Sequence, residues 1–363
     1  GMKVTTVNGQ SVDGNSISFK ALEKITVEGE VLDASGQLVT DFTGIVNPTV
    51  KDSKVTVTCL KNSNKDDSPA FTFTDYPNTI FIGNDSVRNG KFSFTFTVPK
   101  DISYSNLQGK MNLYAVDTES GNEAQGNFDN FIVGGTSDTA ETDTIGPEIR
   151  ALYLNDTTFM DGGQVNTTPY FVAELWDKSG VNITGSSVGH DMMLVIDEST
   201  VLSYNLNSYY ELLPGEDGTG IVKFPIPALE PGKHTAEFWV WDILNNSTVR
   251  TFTFEVVEGL KPFLFDVIAT PGIAREQVTF HLMHNRPESR MRVGIMVYDL
   301  AGRQLWKHEE SGTSGLFENY TVSWDLTSGG ARMRPGVYIY RAAISTDNSK
   351  DATKARKFII LGE

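Results

Sequence analysis

Apolar and polar residues alternate along most of this chain with a period of two. Residues 25–32 and 92–98 show the alternation in the first third, and residues 234–241 show it further on. A period of two places successive side chains on opposite faces of a β-strand. No window carries a sustained apolar stripe with a period of 3.6 residues. The pattern therefore predicts strands throughout the chain and few helices.

Two similar phrases organise the middle of the chain, and each is an apolar strand that ends on a Trp-Asp pair. They occupy residues 174–177 and 239–242, and each is followed by a polar turn. Just before the first pair, Phe171, Ala173 and Leu175 share one face of the predicted strand. A strand with one apolar face must pack against a second sheet, so the middle of the chain is interpreted as a β-sandwich.

Turn and linker signals divide the chain into three strand-rich blocks. The small, polar and acidic residues 134–147 are typical of a linker, and residues 258–262 form a short Pro-containing hinge. The expected domains are residues 1–133, 148–257 and 263–363. The last block contains about seven short strands separated by turns, which is typical of an immunoglobulin-like sandwich. The predicted fold class is all-β, with tandem immunoglobulin-like β-sandwich domains.

Composition and charge limit the function. The 363 residues are 39% hydrophobic, which is enough for ordinary cores, and the net charge is −16. The first two blocks are acidic and would repel phosphate backbones, so nucleic acid is not an expected partner. No apolar run reaches the roughly 20 residues that a membrane helix needs. Gly1 ahead of Met2 is typical of a cleaved tag, so we expect a piece of a longer protein.

The candidate nucleophile and the histidines give no reaction centre. Cys59 is the single cysteine, and the alternation of Val55, Val57 and Cys59 predicts a small buried hydrophobe. No histidine lies among the first 189 residues to activate a thiol. His281 and His284 fall on opposite faces of a predicted strand, so they do not form a metal pair. The polar residues 61–68 are predicted to be an exposed loop.

Two alternatives remain open for the carboxylates of the Trp-Asp phrases. Asp177 and Asp242, with Asn245 and Asn246, are hard oxygen donors of the kind that calcium prefers. Asp and Asn in such turns more often accept hydrogen bonds from their own backbone, so we favour turn capping over metal binding. His190, beside Asp191, is interpreted as part of a capped turn. We therefore expect no catalytic, cofactor-binding or metal-binding residue in this chain.

The aromatic residues of the second phrase indicate an interaction surface. Trp239 and Trp241 share the strand face opposite Phe238 and Val240. One of these two pairs is predicted to be exposed while the other fills the core.

Several motifs resemble a known family. The last block is similar to the C-terminal domain of proteins handled by the type IX secretion system. The similarity lies in residues 297–303, 324–325, 333–340 and 357–360. Eight further segments resemble, in order along the chain, the region after the peptidase domain of gingipain-like type IX sortases. These segments are residues 4–9, 20–27, 146–149, 152–155, 177–182, 189–191, 206–210 and 241–246. The resemblance extends over nearly the whole chain.

This resemblance implies a function without a catalytic residue in this chain. The Cys/His dyad of the family lies in the peptidase domain, which nothing here matches, so the chain itself is not expected to be an enzyme. The parent protein is expected to be a cysteine peptidase and sortase on the cell surface, associated with the outer membrane. Its expected partners are a PorV-like outer-membrane β-barrel protein, other attachment-complex components and cargo C-terminal domains. The alternative is a secreted surface adhesin or glycan-binding protein with a C-terminal sorting domain.

Overall fold

The protein is built from β-strands, as the alternation predicts. The computed structural model describes residues 1–60, 69–138, 143–185, 189–213, 218–346 and 348–362. In these ranges the one helical element is a single 3-10 turn, Asn207–Tyr209. No helix in the described part of the chain is long and apolar enough to span a bilayer. The predicted loop 61–68 and part of the predicted linker 134–147 lie outside the described residues.

The first block forms a long sheet and a short sheet. The long sheet has the order β13-β12-β5-β9-β10-β4-β1-β2, with β8 on β5, and the short sheet has the order β11-β14-β3. β6 and β7 form a separate two-stranded hairpin. The strands are β1 Met2–Val7, β2 Gln10–Ser11, β3 Ile17–Ala21, β4 Lys24–Val31, β5 Gly44–Lys51, β6 Val55–Thr58, β7 Thr72–Asp75, β8 Thr79–Ile82, β9 Asp85–Arg88, β10 Lys91–Thr97, β11 Leu107–Gln108, β12 Lys110–Asp117, β13 Glu123–Phe128 and β14 Phe131–Thr136.

The middle segment forms a four-stranded and a five-stranded sheet. Their orders are β15-β17-β21-β20 and β16-β23-β22-β18-β19. The strands are β15 Glu148–Leu154, β16 Gln164–Val165, β17 Tyr170–Trp176, β18 Met193–Ile196, β19 Ser203–Asn205, β20 Tyr210–Leu212, β21 Thr219–Pro225, β22 Gly232–Trp241 and β23 Ser247–Val256. Phe171, Ala173 and Leu175 are fully buried, so the predicted apolar face of β17 is confirmed.

The last block forms a three-stranded sheet, β24-β26-β29, and a five-stranded sheet, β25-β33-β32-β27-β28, with a small hairpin of β30 and β31. The strands are β24 Leu264–Thr270, β25 Ile273–Ala274, β26 Val278–His284, β27 Met291–Tyr298, β28 Gln304–Gly312, β29 Tyr320–Trp324, β30 Thr327–Ser328, β31 Ala331–Arg332, β32 Gly336–Ser345 and β33 Ala352–Ile360. The two larger sheets enclose one core, where the Phe280 and Tyr340 rings lie 4.9 Å apart. The predicted all-β, immunoglobulin-like fold class is confirmed.

Contacts between residues define two compact units. The first comprises Gly1–Leu152, Ala173–Lys223 and Ala236–Thr251. The second comprises Tyr153–Val172, Phe224–Thr235 and Phe252–Glu363. The middle segment contributes residues to both units, and the domain boundaries expected from the sequence stay predictions.

Cys59 corrects one expectation. The residue lies just after β6 and is exposed, so the prediction of a buried hydrophobe was wrong. Its backbone N–H donates to Phe71 O at 2.9 Å, which extends the β6–β7 hairpin. Every described residue of the two hairpin strands is exposed or only half-buried, and in the described ranges the two strands pair only with each other. Alternation in the sequence indicates a strand, but burial needs a covering layer.

Candidate functional site

The two Trp-Asp phrases lie side by side in the first unit. β17 ends at Trp176 and β22 ends at Trp241, so Asp177 and Asp242 each occupy the first position after a strand. The turns are joined by the Asn182 N–H, which donates to Trp241 O at 2.8 Å, and by the Ile243 N–H, which donates to Gly180 O at 3.0 Å. Two turns that are far apart in sequence thus form one structure.

Each carboxylate caps its own turn. Asp177 Oδ1 accepts from the N–H groups of Ser179 at 2.7 Å and Gly180 at 2.9 Å. Asp242 Oδ1 accepts from the N–H groups of Leu244 at 2.9 Å and Asn246 at 2.7 Å. These are the hydrogen bonds of Asx turns, so the predicted capping role is confirmed.

A third carboxylate, Asp143, joins the pair from the predicted linker. Ser179 Oγ donates to Asp143 Oδ2 at 3.1 Å, and Asn246 Nδ2 donates to the Asp143 carbonyl oxygen at 3.1 Å. One carboxylate oxygen from each of Asp143, Asp177 and Asp242 lies within 4.8 Å of the other two. We call these three residues the acidic cluster. Asp143 could not be predicted from the sequence, because an aspartate within a polar stretch carries no signal of a distant partner.

Burial and hydrogen bonding act in opposite directions on the carboxylates of the acidic cluster. Burial raises the pKa of Asp177 to about 6, although the N–H groups of Gly180 and Ser179 oppose the change. Burial also raises the pKa of Asp242, against the hydrogen bonds from Asn246. The Ile145 N–H lowers the pKa of the half-buried Asp143. Among the residues that the structure describes, these three carboxylates are grouped closely enough to hold a hard cation such as calcium. Their turn-capping bonds already give two of them a structural role.

A second polar network in the first unit surrounds Asp101, which is only 8% exposed. Its Oδ2 lies 2.6 Å from His190 Nδ1, and its Oδ1 accepts from Asn245 Nδ2 at 2.8 Å. The His190 ring packs 4.5 Å from the Trp241 ring. His190 therefore pairs with a distant carboxylate and not with its neighbour Asp191, whose Oδ1 accepts from Asn207 Nδ2. No pattern in the sequence indicates this role for Asp101.

The remaining candidates stay separate. His284 Nε2 lies 2.8 Å from Ser314 Oγ, whereas His281 pairs in the sheet with Ile268 and Thr321, so the structure does not bring the two histidines together as ligands. On β22, Phe238 and Val240 are fully buried, whereas Trp239 and Trp241 are half-buried on the other face. The Trp pair is thus the outward pair of the two, although it is not fully exposed.

In the second unit, the five-stranded sheet of the last block exposes an apolar row on its outer face. Ile273 pairs with Ile359, and Ile359 pairs with Val337, so these side chains lie on one face of the sheet. Ile339, two residues beyond Val337, shares that face. Ile273 is 55% exposed, Val337 39% and Ile339 38%. We call Ile273, Val337, Ile339 and Ile359 the outer patch. The inward side chains between them, Tyr338 and Tyr340, are buried.

The outer patch carries positive charge at its border. Lys357 pairs with Ile339 across β33 and β32, and Arg341 follows Ile339 on the same face. Both residues are exposed. Contiguous exposed apolar side chains with a polar rim are typical of protein interaction surfaces.

The fold and these sites define an all-β chain of immunoglobulin-like sandwiches with an exposed apolar sheet face. No protein-family model matches the chain, and the search of curated proteins gave no match. Among solved structures, the chain is similar to dimeric latent PorU from Porphyromonas gingivalis, with 37% identity over 100% of this chain and 34% of that chain, at a TM-score of 0.44. This chain thus spans about a third of the length of that PorU chain.

Two other solved structures are more distant. An N-terminal immunoglobulin module of the Drosophila receptor tyrosine phosphatase DLAR is 9% identical over 60% of this chain and 98% of its own, at a TM-score of 0.23. Fibronectin-type domains of chicken CNTN1 are 7% identical over 99% of this chain and 97% of their own, at 0.21. The 37% identity along the whole of this chain confirms the resemblance that the motifs indicated: the chain is similar to the C-terminal region of PorU.

Proposed function

We propose that this chain is the non-catalytic scaffold and docking region of a PorU-type sortase at the cell surface. The observation that carries the proposal is the 37% identity to PorU over the whole chain. The parent would be a gingipain-like cysteine peptidase that processes type IX cargo and attaches it to the outer membrane. The chemistry would belong to the peptidase domain of the parent, and this region would hold that domain in place.

The outer patch supports a docking role for the last block. It exposes isoleucine and valine side chains in register, where a solitary sandwich would carry polar residues. The occupant we propose is an outer-membrane β-barrel protein of the PorV type, whose periphery supplies apolar surface. Covering the patch would remove these side chains from water. This burial would stabilise the complex by roughly 25 cal/mol for each Å² of apolar surface.

Co-purification tests this proposal with a matched pair of variants. The tagged chain is incubated with a detergent extract of outer membranes from cells that carry the type IX system. Ile339→Asp places a charge within the outer patch and is expected to abolish capture of the barrel protein. Ile268→Asp changes an isoleucine that is 47% exposed on β24, in the other sheet, and should leave capture intact. Equal capture by both variants would refute docking through the patch.

A further inference from the structure

A cleft in the first unit lies between β8 and β20. Its volume is about 820 Å³, at the upper end of the range for ligand-binding pockets. Ile80 and Ile82 line it from β8, and Tyr210 and Leu212 line it from β20. At one end Asn84 Nδ2 donates to the Leu212 carbonyl oxygen at 3.0 Å, which fixes the spacing of the two strands. The cleft is thus bounded by strands on both sides.

Both bounding strands are edge strands. β8 pairs with β5 and β20 pairs with β21, and in the described ranges neither has a partner strand on its other side. The Gly83 N–H donates to Pro48 O of β5 at 3.1 Å. Because backbone groups in an antiparallel ladder alternate in direction, the N–H and C=O of Ile82 point away from β5. An edge with unpaired backbone groups is a template for a further strand.

The side chains around this edge suit an apolar strand. Phe94 and Phe96 of β10 also line the cleft, and the Phe81 ring stacks on Phe96 at 4.8 Å. A strand added at the edge would place alternate side chains against this surface. Backbone hydrogen bonds would then supply affinity, and the apolar lining would supply selectivity.

Charge favours a cationic strand. The residues of the first unit carry a net charge of −15 out of −16 for the chain. Among the charged residues that line the cleft, Asp85 and Asp177 are balanced by Lys24 and Lys178. The preference for a positively charged ligand therefore comes from the electrostatic field of the whole unit and not from one ion pair. This field attracts cations over about a Debye length.

We propose that this cleft binds an extended, apolar and positively charged polypeptide strand of another protein by adding it to the edge of β8. The final strand of this chain, β33, has this chemistry: its sequence ATKARKFII combines three basic residues with an apolar end. Since the last block resembles a type IX C-terminal domain, the partner strand would belong to a cargo C-terminal domain. Only this identity of the partner rests on the proposed function.

Fluorescence anisotropy tests the binding. The probe is a fluorescein-labelled synthetic peptide with the sequence of residues 352–361, titrated with the full chain. Saturable binding is expected, with a Kd below about 1 mM. A peptide with alternate backbone amides N-methylated keeps the side chains but cannot complete a strand ladder, and it should bind at least about tenfold more weakly. No binding by the unmodified peptide, or equal binding by both peptides, would overturn the proposal.

A matched pair of protein variants locates the site. Ile82→Lys puts a cation at the edge of β8 and is expected to weaken peptide binding by about tenfold or more. Ile132→Lys makes the same change on β14, at a residue that is 38% exposed and outside the cleft, and it should leave binding unchanged. Thermal unfolding of both variants checks that each is folded. Undiminished binding by a folded Ile82→Lys protein would refute the cleft as the site.

The two proposals fail separately. The cleft belongs to the first unit and the outer patch to the second. Loss of peptide binding with normal capture of the barrel protein would overturn only the cleft. Normal peptide binding without capture of the barrel protein would overturn only the docking function.

Discussion

At the scale of single residues, His284 is held neutral by its surroundings. Its Nδ1 accepts from the Arg286 N–H at 3.1 Å, so the ring proton is on Nε2, which faces Ser314 Oγ. Burial, followed by the charge of Arg286, lowers the pKa of His284 from 6.5 to about 4. A proton on Nδ1 would break the first of these bonds and bring a second positive charge next to Arg286.

The lowered pKa of His284 predicts an acid-sensitive stability. In the unfolded chain the imidazole takes up a proton below about pH 6.5, whereas in the folded chain it does so only near pH 4. The contribution of neutral His284 to the free energy of unfolding is thus complete above pH 6.5 and is lost as the pH falls towards 4. His284→Gln should lessen this loss by on the order of 2 kcal/mol between pH 7 and pH 4, in urea unfolding at both pH values. An unchanged difference between the two pH values would contradict this account of His284.

Residue-scale predictions from sequence succeeded where a short-range pattern decides the outcome. Capping by Asp177 and Asp242 was predicted because an Asx turn closes within two to four residues. The exposure of Cys59 was not predicted, because exposure depends on whether other parts of the chain cover the hairpin. Asp143 and Asp101 contact residues between 36 and 144 positions away, and no local pattern in the sequence indicates such pairings.

At the scale of elements, a buried arginine ties the segment before β24 to the end of β26. Arg286 is 1% exposed. Its Nη2 donates to the carbonyl oxygens of Leu260 at 3.1 Å and Lys261 at 3.3 Å, and its Nη1 donates to Asn285 Oδ1 at 2.9 Å. Burial lowers its pKa to about 10, so it stays charged at neutral pH. The predicted hinge residues 260 and 261 are therefore fixed by one side chain.

Replacing this arginine should destabilise the second unit. Arg286→Met keeps much of the side-chain length but removes the charge-assisted hydrogen bonds to Leu260, Lys261 and Asn285, which should cost about 3 kcal/mol in the free energy of unfolding. Arg292→Met is the control, because Arg292 is exposed and only 3.5 Å from Asp351 in a surface ion pair. Urea unfolding followed by tryptophan fluorescence measures both variants. Equal small effects would show that Arg286 does not hold this segment.

The strands themselves were largely predictable from sequence. Residues 25–32 and 92–98 became β4 and β10, because alternation and a following turn or proline define a strand locally. How the strands combine into sheets was less accessible. Gly126 of β13 illustrates this, since a Cβ there would lie 2.3 Å from Met2 O of β1, and only the folded sheet shows why this position needs glycine. The burial of Arg286 could not be predicted either, because an arginine in a polar turn is usually exposed to solvent.

At the scale of the whole molecule, net charge is distributed unequally between the two units. The first unit carries nearly all of the negative charge and the cleft, whereas the second unit, with a net charge near zero, carries the outer patch. In the proposed docking role, the near-neutral second unit with its basic border would approach an anionic outer membrane, from which the acidic first unit would be repelled. The two units therefore have different proposed roles. The second unit docks to the outer-membrane β-barrel protein, and the first unit binds a polypeptide strand.

Site-specific photocrosslinking on living cells tests the docking role most directly. A photoreactive amino acid replaces Ile339 in the outer patch or Ile268 in the other sheet of the last block, within the full-length parent protein. After irradiation, the account predicts a covalent adduct between position 339 and an outer-membrane β-barrel protein, and no such adduct from position 268. Absence of the adduct at position 339, or equal adducts from both positions, would contradict the account.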